Sequence, residues 1–184
     1  MIYRKDLDRI SNSRLLQLIR RLRLRLKGVT LGREVYIGRR VVVVGYPKGL
    51  TIADRAIIKD NVYIYPTNER ARITIGSETR IGMYSFIVAI EGISIGDNCL
   101  LAPFVYVVDN NHSIRKGELI QRQLGIVKPV YIGSDVWIAT GAKILSGVRV
   151  NDGAVVAANS VVTTDVDKNA IVGGIPANVL KYRE

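Results

Sequence analysis

The chain has 184 residues and is 48% hydrophobic, one domain's worth of sequence with enough apolar material for a sizeable core. Lys and Arg number 27 against 16 Asp and Glu, and the resulting charge of +11 suggests an anionic partner: nucleic acid, a membrane surface, or an acidic or phosphorylated substrate. A single Cys and a single His exclude an intrachain disulfide, a cysteine zinc site and any metal centre needing several histidines of one chain.

The charge is unevenly spread. Residues 1–40 hold 12 basic and 3 acidic side chains, whereas residues 41–184 hold 15 and 13. The basicity belongs to the first fifth of the chain, with a boundary expected near Gly28. Ser11, Asn12 and Ser13 offer N-caps, and Gly28 a stop, for a helix between them. Leu15, Leu18, Ile19, Leu22 and Leu26 fall on one stripe at helical spacing. Arg14, Arg20, Arg21, Arg25 and Lys27 lie off it, and Leu24 breaks the pattern. Arg21 to Lys27 also alternates as a strand would. The stripe predicts a helix packed on the body or between subunits, with a solvated basic face. The sharper alternative is an interfacial helix touching anionic lipid or a lipid-linked substrate. No zinc finger, RNA-recognition motif or basic aromatic platform accompanies the charge, so nucleic acid is not the expected partner. No apolar run nears the roughly 18 residues of a membrane span, and no secretory signal opens the chain. The expected location is the cytoplasm, with residues 1–28 available for peripheral contact at the inner face of the membrane.

From Leu31 onward the chain repeats every six residues. Units start at Leu31, Ile37, Ile52, Ile58, Ile75, Ile81, Ile95, Leu101, Ile132, Ile138, Ile144, Val150, Val156 and Val162. Of these fourteen units, ten have Gly or Ala second, and every fifth position, from Val35 to Val166, is small or β-branched. Short strands bounded by turns every six residues coil into a parallel β-helix. The aliphatic first residue fills the interior, the fifth points inward near a corner, and Gly or Ala second is expected to relieve the turn. No coil is stable alone, because each buries its edge on the next. Cys99 occupies a fifth position and is expected to be core, not a nucleophile.

A regular prism has no pocket, so function is expected where the period breaks. Small breaks fall around Gly45–Thr51, Tyr65–Thr74 and Ile87–Ser94. The largest runs from Asp109 to Pro129, a polar loop that opens on the chain's one histidine, His112. After it, Val130-Tyr-Ile-Gly-Ser-Asp-Val-Trp-Ile-Ala-Thr-Gly-Ala resumes the repeat. Val155-Val-Ala-Ala-Asn-Ser-Val-Val-Thr-Thr-Asp-Val and Gly173-Gly-Ile-Pro-Ala-Asn-Val-Leu close it.

These stretches resemble the hexapeptide-repeat acyltransferases, in the branch of the maltose/galactoside and surface-polysaccharide O-acetyltransferases. The resemblance covers about residues 29–172. It implies an all-β fold, a left-handed parallel β-helix, against the right-handed crossovers that general topology favours. With it go a short N-terminal helical segment (1–28), a protruding loop (109–130) and a C-terminal tail (173–184). It also implies acetyl-CoA as donor, no metal, a homotrimer with active sites between subunits, and His112 as the catalytic base. Imidazole titrates near neutrality and can take a hydroxyl proton as attack on the thioester begins, so no acyl-enzyme is required. The resemblance places an oxyanion-binding backbone N–H at Thr140 and further coenzyme contacts at Ala158, Thr163, Thr164 and Lys181. Arg183 is a second candidate for the nucleotide phosphates. Trp137 is expected to shield the thioester, because an aromatic at the sixth place of a hexad is otherwise an exposed oddity. Asp109, Asn111, Glu91 and Asp97 are candidates to orient His112, with Asp97 better explained by a routine Ile-Gly-Asp-Asn turn. Ser85, Glu91, Asp109 and Asn111 are the acceptor-site candidates.

The chain departs from the family at three places. Thr164 and Asn178 stand where Lys and Arg are common, and no Asn lies between Met83 and Ser94. The basic N-terminal segment also differs from the longer cap of the free-sugar enzymes. The acceptor is therefore expected to be a glycan or a sugar on an isoprenoid diphosphate. An N-acetyltransferase and a catalytically silent scaffold are the alternatives. The gamma-class carbonic anhydrases, built on the same helix, need three metal-binding histidines.

Overall fold

The computed structural model describes residues 14–184. Helix α1 (Arg14–Leu26) leads into three parallel sheets that form the sides of a prism. The first face stacks Thr30–Leu31, Leu50–Ile52, Arg72–Ile75, Gly92–Ile95, Val130–Ile132 and Arg149–Val150. The second stacks Tyr36–Ile37, Ile57–Ile58, Arg80–Ile81, Leu100–Leu101, Trp137–Ile138, Val155–Val156 and Ala170–Gly174. The third stacks Val42–Val43, Tyr63–Pro66, Phe86–Ala89, Tyr106–Val108, Lys143–Ile144 and Val161–Val162. Register is strict: Ile52 pairs with Ile75, and Ile95 with Ile132. The interior is thus a column of aliphatic side chains, each seated on the one in the coil before.

All fourteen predicted first positions are buried, and so are the predicted fifth positions apart from Val41, which is half-buried. Four more first positions fill the third face: Val43, Ile64, Ile87 and Val107. They escape the sequence pattern because a break in the repeat follows each one. Cys99 is fully buried, its Sγ 3.0 Å from the Gly133 carbonyl oxygen, and burial pushes its thiol pKa up. It is core, and a protonated thiol is a poor nucleophile.

The role expected of the second-position glycines needs correcting. The left-handed backbone falls on the fourth position instead, as at Glu34, Arg55, Asn98 and Asn159, with φ between 53° and 59°. The second-position glycines serve close stacking. A Cβ on Gly76 would lie 2.4 Å from the backbone of Gly96, and one on Gly82 would lie 2.4 Å from that of Ala102.

The two ends of the prism are closed differently. At the C-terminal end Ala177–Tyr182 turns back and pairs antiparallel with Ala170–Gly174, so the expected tail is a strand that covers the last coil. At the N-terminal end α1 lies over the first coil. Its end is a Schellman cap: the Val29 N–H donates to Leu24 O and the Gly28 N–H to Arg25 O, with Gly28 at φ +95°. Leu24 and Val29 are both buried against each other's turn. Leu24, which breaks the sequence stripe, is therefore the helix's anchor. Leu15, Leu18, Ile19, Leu22 and Leu26 are exposed, which overturns the expectation that the stripe packs on the body of this chain. The expected caps Ser11, Asn12 and Ser13 lie outside the described residues. Among the described residues, no helix is long and apolar enough to cross a membrane.

Candidate active site

The loop that opens at Asp109 is built as a hairpin. Asn110–His112 pairs antiparallel with Gly125–Val127, and His112 lies opposite Gly125. It leaves the prism at the corner between the third and first faces. Asp109 holds its root. The carboxylate is fully buried and accepts the N–H groups of Ile90, Glu91 and Gly92 at 2.8, 2.7 and 2.7 Å. The Asp109 carbonyl accepts the Lys128 N–H at 2.8 Å and the Ser146 hydroxyl at 2.7 Å. The hairpin is thereby fastened to the coil before it and to the coil after it. Its tip is fastened from within by Gln123, which is buried. The Gln123 amide accepts the Arg115 N–H at 2.8 Å and donates to the carbonyls of Arg115 and Glu118 at 2.9 and 2.8 Å.

On this base His112 is exposed, and its imidazole has no hydrogen-bond partner among the described residues. Asn111 is its neighbour in fact as well as in sequence, but Asn111 Oδ1 accepts the backbone N–H of His112 at 2.9 Å, not the ring. Glu91 is exposed beside the hairpin root, in a cleft with Asn68, Arg70 and Val127. Two expected acceptor contacts are corrected. Asp109 is spent on three backbone N–H groups and does not reach out to orient the ring or meet a substrate. Ser85 is buried in its coil, its hydroxyl donating to Ala102 O and accepting the Val105 N–H. Asp97 keeps the turn role, accepting the Ser77 N–H at 2.6 Å.

The residues expected to meet the coenzyme lie along the C-terminal coils. Some third-position N–H groups are capped by a side chain of the next coil, Arg33 by Asp54, Arg39 by Asp60, Ser77 by Asp97 and Ser134 by Asp152, while others, Met83 and Ser146 among them, have no such cap among the described residues. Thr140 is a third position whose successor is Ala158, and a methyl group accepts nothing. Thr140 is exposed, no acceptor among the described residues engages its N–H, and its hydroxyl donates to Pro103 O at 2.9 Å. Ala158 follows on the same corner, with Asn159 N–H donating to Thr140 O. Thr163 and Thr164 are exposed where the chain leaves the third-face strand Val161–Val162, on the corner of the His112 hairpin and two coils beyond it. Lys181 is exposed on the closing strand, opposite Ile171. Arg183 is not free: its guanidinium donates to Asp135 Oδ2 at 3.0 Å and to Gly153 O at 2.8 Å.

Trp137 stands half-exposed on the second face, between Leu100 and Val155, in a groove that also holds Arg183. Its sixth-position aromatic ring is no oddity. Tyr36, Tyr63, Phe86 and Tyr106 hold the same outward strand position, and the last three stack along the third face with centroids 4.4 and 5.9 Å apart. The second face is the side of the prism opposite the corner from which the His112 hairpin rises. One chain therefore places Trp137, Thr140, Ala158 and Arg183 on the second face and its far corner, away from the hairpin, and Thr163 and Thr164 on the hairpin's own corner. Gln123, Ser146 and the aromatic ladder lie outside the residues expected from the sequence. Only the ladder has a signal there, the recurrence of aromatics at sixth positions.

A parallel β-helix built of six-residue units, with one hairpin fastened at its root, defines a solenoid fold of the hexapeptide class. Residues 129–164 match the bacterial transferase hexapeptide family, and residues 72–109 match the hexapeptide repeat of succinyl-transferase. The chain belongs to the bacterial hexapeptide-repeat transferase family. It is 31% identical over 160 residues to WcaF of Escherichia coli K12, named for colanic acid biosynthesis as an acetyltransferase, covering 87% of this chain and 72% of that one. It is 32% identical over 132 residues to the galactoside O-acetyltransferase of the same organism, covering 71% of this chain and 63% of that one. A hexapeptide-repeat acetyltransferase of Vibrio cholerae, solved with acetyl coenzyme A, superposes with a TM-score of 0.64 at 27% identity, over 91% of this chain and 78% of that one. The chain spans less than two thirds of the length of several curated relatives it matches.

Proposed function

We propose that the protein is an acetyl-CoA-dependent O-acetyltransferase acting on a hydroxyl of a sugar or glycan, free or lipid-linked, with His112 as general base. The observation that carries this reading is His112 itself: the chain's one imidazole, exposed and without a partner among the described residues, on a hairpin fixed to the coils on both sides. No hydrogen bond to another described residue engages the ring, which leaves both nitrogens open to solvent and substrate. The relatives named for O-acetyl transfer support the reaction type.

In this reading His112 takes the proton of the acceptor hydroxyl as its oxygen attacks the thioester carbonyl carbon. The carbonyl oxygen gains charge and is met by the Thr140 N–H, which no acceptor among the described residues engages. When the carbon–sulfur bond breaks, the protonated His112 returns its proton to the departing sulfur. The products are the acetyl ester and the free thiol, with no acyl-enzyme. Ala158 gives the pantetheine arm room beside Thr140, and Thr163, Thr164 and Lys181 lie beyond it. Because Trp137 and Thr140 do not share a corner with the His112 hairpin, the site is completed between copies of the chain, in a homotrimer. Of the two expected phosphate ligands Lys181 is exposed and Arg183 is tied to Asp135, and Thr164 brings no charge where Lys is common in the family.

Thiol release from acetyl-CoA, with mass detection of the acetylated product, tests this against a panel of sugars, glycans and amino sugars. Turnover with hydroxyl acceptors should fall by about 10²–10⁴ in His112→Ala. Undiminished turnover in that variant refutes the base. Product formed only with amino acceptors refutes O-transfer.

A further inference from the structure

Helix α1 is amphipathic in the inverse sense for a helix on a soluble body. The side that meets the prism is polar except at Leu24. Gln17 donates its amide to Ile37 O at 2.9 Å and accepts the Ile37 N–H at 3.0 Å, as a neighbouring strand would. Arg20 donates to Ile37 O, Arg25 to Leu31 O and Lys27 to Val43 O, each at 3.2 Å. These side chains satisfy the open edge of the first coil. At 3.6 residues per turn, Leu15, Leu18, Ile19, Leu22 and Leu26 lie on the opposite side of the helix from Leu24. They are between 51% and 80% exposed. Arg14, Arg21 and Arg25 border this stripe on one side and Arg23 on the other, and the helix has no acidic residue.

We propose that α1 is an interfacial helix that docks the protein on an anionic bilayer surface. The leucine stripe enters the boundary of the acyl chains, and the bordering arginines meet lipid phosphates. The charge decides between this occupant and a second copy. A stripe edged by arginines and lacking any acid would set like charges against each other if three copies packed it together. An anionic surface complements it. A cleft beneath the helix, lined by Arg20, Arg23, Lys27 and Arg40, adds to the cationic field on the same end of the prism. Residues 41–184, beyond the first coil's opening turns, carry only 15 basic against 13 acidic side chains and add little to that attraction. Docking by this end is independent of the transfer chemistry.

Co-sedimentation of the full chain with vesicles tests the proposal. The chain should pellet with phosphatidylglycerol-containing vesicles and stay in solution with pure phosphatidylcholine, and added salt should release it. The double variant Leu18→Ser/Leu22→Ser changes only exposed side chains and should cut the bound fraction roughly tenfold or more, with unchanged circular dichroism. Arg14→Gln/Arg21→Gln, which leaves every bond to the first coil in place, should do the same at low salt and serves if the serine variant misfolds. Equal pelleting of both variants and wild type overturns the proposal. So does a wild-type chain that ignores anionic vesicles while Leu18→Ser/Leu22→Ser alters the particle mass in light scattering, since the stripe is then covered by another copy.

Discussion

Replacing Asp109 separates a structural anchor from a catalytic partner. The residue precedes the His112 hairpin closely enough in sequence to be taken for the group that orients the imidazole. In the fold its carboxylate is fully buried and accepts three N–H groups of the Ala89–Gly92 turn, all within 2.8 Å. Hydrogen bonds to a charged group contribute about 1.5–3 kcal/mol each, and a buried donor left unmade costs about 1–3 kcal/mol. The three donors share one turn, so their losses overlap. Asp109→Ala should therefore cost about 3–5 kcal/mol, near the upper end for single substitutions. For a chain of this size that corresponds to a fall in Tm of roughly 10 °C. Asp109→Asn keeps one acceptor oxygen but turns an amide donor toward the N–H groups of Glu91 and Gly92. It should cost about 2–4 kcal/mol. Differential scanning fluorimetry and urea titration read these losses, and turnover should fall with them as the hairpin root loosens. An Asp109→Asn protein with wild-type Tm and abolished turnover would refute the anchor and restore Asp109 to the chemistry.

Gly76→Ala should lower stability by about 1–3 kcal/mol, read as Tm, because the new methyl carbon meets Gly96 backbone at 2.4 Å and no flexible side chain can yield. Gln123→Ala should leave the prism's Tm nearly unchanged but expose residues 113–124 to limited proteolysis and lower turnover, since the loop loses the amide that ties Arg115 to Glu118.

The prism was legible because its period is fixed by sterics. An aliphatic residue every sixth place, with a small one four later, admits one coil geometry, and each unit repeats the evidence. The four missed units begin at Val43, Ile64, Ile87 and Val107. Each is followed by an insertion at one corner of the prism, so nothing after it continues the pattern. The site was legible as far as His112 and its loop, because a long polar excursion stands out from a regular repeat. The partners of that loop were not. Asp109 and Asn111 differ by two residues, yet one points into the turn at Gly92 and the other to the His112 backbone. Composition carries no information on which way a side chain leaves a hairpin. Gln123 shows the same limit: a glutamine in a polar stretch has no pattern that marks it as buried.

Helix α1 shows what periodicity leaves undetermined. The spacing of Leu15, Leu18, Ile19, Leu22 and Leu26 defines an apolar stripe, and burial on the chain's own body would be worth up to about 1.5–3 kcal/mol for each residue. The first coil presents a competing demand. Its edge exposes backbone groups with no preceding coil, and a helix laid on it with leucines inward would cover those groups without pairing them, at about 1–3 kcal/mol each. The polar side instead supplies Gln17, Arg20, Arg25 and Lys27 to Ile37, Leu31 and Val43. Pairing the edge and hiding the leucines cannot both be met by one face on one chain. The fold resolves this by turning the polar side in, leaving the apolar side for a second surface. The same residues that close the prism thus fix the direction in which the stripe points, away from the first coil.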